Sequence, residues 1–537
     1  MAAPFDRRPL LVLKSEDCVN HQIMSAAGDD AELPELQRAR GLWAANRFDE
    51  ALRLFTETAE KHPQNLAALV DAARALGHRH EIKRASEYLD RVRSHKSDRP
   101  ELPFILGQTF RMIHREDLAI QCFEEYVAKA GRKHTDAHFE LAVLYERRHR
   151  LDESEAALGR VLKLNANYFE AWLMQGRLLS RQGETQKAAG TYRRLALNTQ
   201  AHIITRAQAW AALASLADKQ GDYEEAVRCM GKCKETQSAH AAVFQSHSDV
   251  VLGNLQRFGE SVTAGHLRRW REQRDPGPTV RVAQLTGFPR SGTTLLENVL
   301  DAHSGLVSSE ELQVFGRDIL DSSWKESHEI TPPTAEAFDK IPLRKLNRLR
   351  RRYLDAIEET LDEPIGDRVH LDKNPTHTLF IPAIVRIFPE TKFLIALRDP
   401  RDVIVSCYLQ YLPLNPTTTA FLTWDSTARR YALDLGMWLR FRPMLDSETW
   451  LEVRYEDVVE DMSAAARRAL TFLNLPWEDS VLSYRERLAQ KTVHSPTYLD
   501  VAKPVYRGAI GRWKNYAKWL EPSLPMLDRF IKEFGYH

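Results

Sequence analysis

Between residues 32 and 245, apolar residues recur at helical spacing and proline is rare inside the periodic stretches. A longer period lies on top of this one. Ala51, Ala85, Ala119, Ser154, Ala188 and Ala226 lie 34, 34, 35, 34 and 38 residues apart. Twelve positions before each stands another small residue: Ala39, Ala73, Gly107, Ala142, Gly176 and Ala214. Four positions after each stands a larger apolar one: Phe55, Leu89, Phe123, Leu158, Tyr192 and Met230. The pattern has a steric reading. Two antiparallel helices approach closely where both carry a small side chain, and the larger residue fills the groove against the next unit. Asn46-Arg47, Arg181-Gln182-Gly183 and Gln220-Gly221-Asp222 fall between the paired small positions, where a helix-turn-helix needs its turn. The spacing predicts six stacked helix pairs.

These units resemble the tetratricopeptide repeat, with Trp172 and Trp210 at that family's early tryptophan position and Pro63 at its terminal proline position. The resemblance implies a superhelix whose concave face takes protein or peptide segments. The same array would also serve as a rigid spacer or a dimerisation arm.

The helical pattern stops near Arg274-Asp275-Pro276-Gly277-Pro278, a proline-glycine hinge suited to a domain boundary. The expected organisation is an N-terminal extension over 1–31, a repeat domain over 32–260, a linker over 261–279 and an α/β domain over 280–537. VRVAQLT (Val280 to Thr286) reads as a buried strand, GFPRSGTT (Gly287 to Thr294) as a glycine loop, and LLENVLDAH as an amphipathic helix. Lys392 to Leu397 and Trp450 to Val453 read as two further strands, each followed by charged residues and a helix. This alternation predicts a mainly parallel sheet with helices on both faces, and the fold class is α followed by α/β.

Strand, glycine loop and helix form the context of a phosphate-binding loop. Gly287 and Gly292 keep the spacing of G-x-x-x-x-G-K-[ST], but Thr293 stands where the lysine belongs and the basic residue is Arg290, inside the loop. Backbone N–H groups of Ser291, Gly292, Thr293, Thr294 and Leu295 at the helix start suit a phosphate, with the two threonine hydroxyls as further donors. The missing lysine, and the lack of a clear acidic strand end for magnesium, argue against metal-dependent triphosphate hydrolysis.

FPRSGTT resembles the 5′-phosphosulfate loop of sulfotransferases that use 3′-phosphoadenosine-5′-phosphosulfate (PAPS), with Arg290 at that family's basic position. The family's second signature, an arginine after a strand with a serine eight residues on, is matched in RDPRDVIVS by Arg398 and Ser406. A planar cationic fork and a hydroxyl at the start of a helix suit a 3′-phosphate. Alone, Arg398 would read as the surface ion partner of Asp399 or Asp402. Further on the chain is similar to the tyrosylprotein sulfotransferase branch and its repeat-bearing bacterial relatives. The resemblance makes Glu311 of SSEEL the catalytic base, Lys373 of LDKNP a transition-state stabiliser, and Tyr455 of VRYEDV a cofactor contact. It puts Lys503 in the C-terminal cofactor loop, and Arg507-Gly508 resembles the 3′-phosphate loop of cytosolic sulfotransferases. Two departures stand out: Gln410 replaces an arginine of the branch, and the membrane anchor and disulfides of the animal enzymes are missing.

Sulfuryl transfer needs an acceptor oxygen relieved of its proton, a clamped donor, and cations against the charge that develops on the leaving phosphate. Glu311 suits the first task, and Arg290 and Lys373 the last, with no metal. His370 and His377 flank Lys373 and are the rival bases. The resemblance thus implies transfer from PAPS, leaving 3′,5′-adenosine bisphosphate, to an acceptor hydroxyl on protein tyrosine, carbohydrate or a small molecule. The competing readings are a nucleotide phosphotransferase on the same loop and a non-catalytic repeat scaffold. The basic run Arg344 to Tyr353 reads as a solvated helix face that would also suit an acidic partner.

Composition narrows the setting. The 537 residues carry 75 Lys+Arg against 74 Asp+Glu, which removes any whole-chain argument for nucleic-acid binding. Mean hydropathy is -0.44, and no run approaches the roughly 18 apolar residues of a membrane span. The apolar run Leu10 to Leu13 is shorter than a signal-peptide core of about 7–15 residues. Five scattered cysteines make no disulfide framework, and the expected compartment is the cytoplasm. Cys229 and Cys233, one helical turn apart with His240 and His247 downstream, read as small helix residues rather than zinc ligands.

Overall fold

The computed structural model describes residues 33–488 and 507–537, apart from 46, 80, 96, 98, 130–133, 149, 274–280, 321–322, 324–333 and 362. The expected N-terminal extension, 1–31, therefore lies outside the described residues. The chain divides into two compact units, Met1–Gln237 and Ser238–His537.

The first unit contains six helix pairs among the described residues. They are Pro34–Ala44 with Phe48–Lys61, Leu66–His78 with Ile82–Ser94, Leu102–Met112 with Glu116–Lys129, Thr135–Arg147 with Leu151–Leu164, Phe169–Arg181 with Thr185–Leu197, and Ile203–Lys219 with Tyr223–Ser238. Every small and large position of the sequence period is buried in these helices. The close approach is tight enough to explain the small residues: a Cβ on Gly107 would sit 2.8 Å from the Phe123 ring, and one on Gly176 would overlap the Tyr192 ring. Ser154 fits a small position and also donates from Oγ to the carbonyl of Ala142, at 2.8 Å, across its pair.

The boundary lies earlier than the sequence suggests. The helices Ala242–Ser261 and Ala264–Glu272, expected in the repeats and the linker, pack within the C-terminal unit. Phe258 meets Phe338 at a ring separation of 4.7 Å, Gly259 lies against Met437 and Phe441, and Arg271 donates to the carbonyl of Pro389 at 2.8 Å. A helical pattern that runs on past residue 238 hides this change of partner.

The C-terminal unit is built on five parallel strands: β1 (Val282–Gly287), β2 (Leu306–Glu310), β3 (Val369–Lys373), β4 (Lys392–Leu397) and β5 (Trp450–Arg454). Their order is β2-β3-β1-β4-β5. Helices cover the sheet, and β1 and β3 are buried along their whole length. The sequence pattern finds β1, β4 and β5 but not β2 and β3, whose LVSSE and VHLDK mix polar with apolar residues. The basic run forms part of the helix Leu343–Leu361, which turns Leu346, Leu349, Tyr353 and Ile357 inward and pairs Arg350 with Glu390. No helix among the described residues is long and apolar enough to cross a membrane.

Candidate active site

Parallel sheets of this kind open a crevice at the carboxyl ends of their strands, where the strand order reverses. Here β1 lies between β3 and β4, and a candidate residue stands at the end of every strand. Arg290 follows β1, Glu311 follows β2, Lys373 ends β3, Arg398 follows β4 and Tyr455 follows β5.

The loop after β1 enters the helix Thr293–Asp301 through Gly292, whose φ of 89° is left-handed. A Cβ there would sit 2.5 Å from the Tyr455 ring, so only glycine lets the helix start this close to the end of β5. Ser291, Thr293, Thr294 and Leu295 are all buried around this first turn. Arg290 and Glu311 also hold positive φ, 71° and 49°. A non-glycine residue in that region costs about 1–3 kcal/mol, and such strain collects at functional sites.

Arg398 is buried and joins three segments. Its Nη1 donates to the Arg290 carbonyl at 3.1 Å, its Nη2 donates to the Ala509 carbonyl at 2.5 Å, and its guanidinium lies 4.7 Å over the Tyr455 ring. Its Nε is buried with no hydrogen-bond partner. Asp399 is not its partner, because Asp399 pairs with Arg401 at 2.8 Å. Asp402 instead accepts from the backbone N–H groups of Gly511 and Trp513, each at 2.7 Å. Burial pushes the Asp402 carboxyl up. These bonds fasten the segment after residue 507 to the helix Pro400–Tyr408.

Ser406 requires a correction. That helix begins at Pro400, where Asp399 caps the N–H of Arg401, so Ser406 lies in its last turn and not at its start. The loop side still reaches it: Arg290 Nε donates to Ser406 Oγ at 3.1 Å. Arg507 and Gly508 lie in the short turn Arg507–Ala509, beside the carbonyl that Arg398 binds. Lys503 lies outside the described residues.

Lys373 is fully buried at the centre of a charged cluster. Its Nζ lies 2.8 Å from Glu311, 3.5 Å from Glu297 and 3.7 Å from Glu310. Burial pulls the ammonium toward neutrality, but Glu297, Glu311 and Glu310 outweigh it and hold the pKa above the usual lysine value. The Glu311 N–H donates to the Lys373 carbonyl at 2.8 Å, which fixes the two residues side by side. Sequence reasoning misses Glu297. The one signal for it is a carboxylate in the middle of the apolar run LLENVL.

The two histidines face inward. His370 is fully buried with Nε2 2.9 Å from Ser309 Oγ, and burial pushes it down to about 4. His377 is buried 3.1 Å from Gln284 Oε1, and burial lowers it as well. Cys229 and Cys233 are buried, and burial pushes their thiols up to about 12 and about 11. Among the described residues no three His, Cys, Asp or Glu side chains are placed so that they could hold a metal ion.

Residues 284–479 match the sulfotransferase family, and residues 42–102, 139–202 and 207–240 match tetratricopeptide repeats. An uncharacterized protein of Aquifex aeolicus is 27% identical over 61% of this chain and 42% of its own length. Protein-tyrosine sulfotransferase A of Caenorhabditis elegans is 26% identical over 46% of this chain and 65% of its own length. The chain thus spans less than two thirds of these relatives. Among solved structures, the sulfotransferase domain of the Synechococcus PCC 7002 olefin synthase is 20% identical, covering 48% of this chain and 98% of that one, with a TM-score of 0.32. The chain thus joins repeats that match the tetratricopeptide family to a C-terminal region, residues 284–479, that matches the sulfotransferase family.

Proposed function

We propose that the C-terminal unit moves the sulfuryl group of PAPS to an acceptor hydroxyl, with protein tyrosine as the leading acceptor. The observation that carries this reading is the contact between Lys373 and Glu311, 2.8 Å apart, at the carboxyl edge of the same sheet that presents Arg290 and Arg398. A base and a cation are what sulfuryl transfer needs, side by side and next to an anion-binding loop.

The residues fit PAPS. The loop brings its backbone N–H groups to the start of the helix Thr293–Asp301, and the buried Nε of Arg398 lacks a partner that an anion oxygen would supply. When bound, PAPS supplies a sulfuryl group activated by a phosphate leaving group. The loop N–H groups, Ser291, Thr293, Thr294 and Arg290 hold its 5′ end, and Arg398, Ser406 and Arg507-Gly508 hold its 3′-phosphate. Tyr455 backs the loop through Gly292 and Arg398.

Glu311 is 41% exposed where Lys373 is 0% exposed, so the carboxylate is the member of the pair that an acceptor reaches. It takes the hydroxyl proton as the acceptor oxygen bonds to sulfur. Lys373 and Arg290 offset the charge that grows on the departing oxygen. His370 in β3 and His377 in the short helix after it are buried, against Ser309 and Gln284, and so rank below the exposed Glu311 as the base. The repeats deliver or recognise a macromolecular acceptor, which lowers its KM or, by aligning its hydroxyl, raises turnover.

Calorimetry with 3′,5′-adenosine bisphosphate in the presence of a chelator tests the reading. Binding is expected without metal, and Arg398→Ala weakens it by about 1.5–3 kcal/mol, the worth of a charge-assisted bond. A magnesium requirement or a preference for ATP overturns the reading.

A further inference from the structure

Glu311 has two tasks that compete. It balances the charge of a fully buried lysine, and it receives a proton from the acceptor. Once protonated, it no longer balances Lys373. An ammonium with 0% exposure does not stay charged without a second anion close by.

That anion is present. Glu297, on the helix that follows the loop, is 2% exposed and holds Oε2 3.5 Å from Lys373 Nζ. It is fixed from the opposite side, because Ser308 Oγ in β2 donates to Glu297 Oε1 at 2.9 Å. Ser308 is itself oriented through its backbone N–H, which donates to Asp301 at 2.8 Å. Glu310, 3.7 Å from the ammonium, is the remaining carboxylate on this side. Asp372 precedes Lys373 but serves the other face of β3, where it accepts from Tyr353 and Gln284 and lies 3.7 Å from His377.

We propose that Glu297 is a positioning residue that keeps Lys373 charged and aimed at the leaving oxygen while Glu311 is engaged with the acceptor. The inference rests on the roles given above to Lys373 and Glu311. Glu297 touches neither acceptor nor donor and acts through the lysine. Burial would pull the ammonium toward neutrality, and Glu297 opposes it together with Glu311 and Glu310.

The test reads the lysine directly. In the full chain with lysine ¹³Cε labelling, the Lys373 signal is assigned by its loss in Lys373→Arg and followed from about pH 7 to about pH 11 without ligand. The wild-type signal is expected to stay that of the charged form throughout. Glu297→Gln is expected to bring its titration down by about 1–3 pH units, the effect of an opposite charge within about 4–6 Å. Glu297→Asp should restore most of the shift. The alkaline limb of PAPS-dependent turnover should move down with the titration in Glu297→Gln, a change that a merely structural role would not produce. A folded Glu297→Gln with an unmoved Lys373 titration overturns the proposal. If Glu297→Gln does not fold, Ser308→Ala carries the test: a smaller shift in the same direction supports it and no shift overturns it. Failure of the sulfotransfer reading shows elsewhere, as wild-type protein that binds no 3′,5′-adenosine bisphosphate, because the Lys373 titration needs no ligand.

Discussion

Replacing Gly292 by alanine perturbs the loop in two ways that the structure allows to be separated. The first is backbone strain: φ is 89°, and an L-residue in the left-handed region costs about 1–2 kcal/mol. The second is crowding. The new Cβ would sit 2.5 Å from Tyr455 Cδ2 and 3.3 Å from Cγ, so the ring must move, and forcing an extra methyl into packed surroundings costs about 1–3 kcal/mol. Together they predict a loss of about 2–5 kcal/mol. Gly366 supplies the control, because it lies in the same unit with φ of 59° and nothing within 4 Å of its would-be Cβ. Gly366→Ala should therefore lose only the strain, about 1–2 kcal/mol.

Hydrogen exchange of the sheet peptides reads the stability of this unit without interference from the repeats. Adding Tyr455→Leu to Gly292→Ala should recover the crowding part and leave the strain, a coupling of at least about 1 kcal/mol in the double-mutant cycle. The Tyr455 ring also supports Arg398, at 4.7 Å, so Gly292→Ala should weaken 3′,5′-adenosine bisphosphate binding while Gly366→Ala leaves it unchanged. Equal destabilisation by Gly292→Ala and Gly366→Ala would refute the reasoning.

Three further outcomes are expected. Glu311→Gln should keep bisphosphate affinity and lose at least about 10²-fold in turnover, the lower worth of a positioned base, as measured by radiolabel transfer from PAPS. His370 has its pKa depressed by burial from 6.5 to about 4, so its stabilisation of the C-terminal unit is present above pH 6.5 and lost as pH falls toward 4. That loss amounts to about 3 kcal/mol, with buried His377 adding in the same direction, and urea unfolding at stepped pH checks it. A fragment starting at Ser238 should melt cooperatively and bind the bisphosphate, whereas one starting at Pro278 should not. The shorter fragment lacks the buried Phe258, Val262, Leu267 and Trp270, whose burial at about 1.5–3 kcal/mol each rivals the whole stability of a domain.

The repeat array is the most legible part of the chain, and the reason is steric. Gly107 against Phe123 and Gly176 against Tyr192 leave no space for a larger side chain, so the packing rule is written into residue size at a fixed period. The end of the array is less legible, because packing there depends on which neighbour a helix meets. The helix Ala242–Ser261 continues the helical pattern while its Phe258 and Gly259 serve the C-terminal unit. Periodicity reports that a face is apolar but not what covers it.

The candidate site was legible where the chemistry is contiguous in the chain and obscure where it depends on contacts across the sheet. Arg290, Glu311, Lys373, Arg398 and Tyr455 stand in recognisable local motifs, each at a strand end. Ser406 does not stand at a helix start, because Asp399 and Pro400 begin the helix six residues earlier. The two strands that the hydrophobic pattern misses, β2 and β3, are missed for a reason tied to the site. Their polar residues are buried because each holds another polar group: Ser308 holds Glu297, Ser309 meets His370, and Asp372 accepts from Tyr353 and Gln284. Buried polar groups survive only when paired, and these pairs lie 11 to 88 residues apart in sequence. Lys373 follows the same rule at higher stakes, since its charge persists only beside carboxylates delivered by a different helix and a different strand. A sheet that carries a charged site through its interior must depart from an apolar strand pattern at the places where that site is supported.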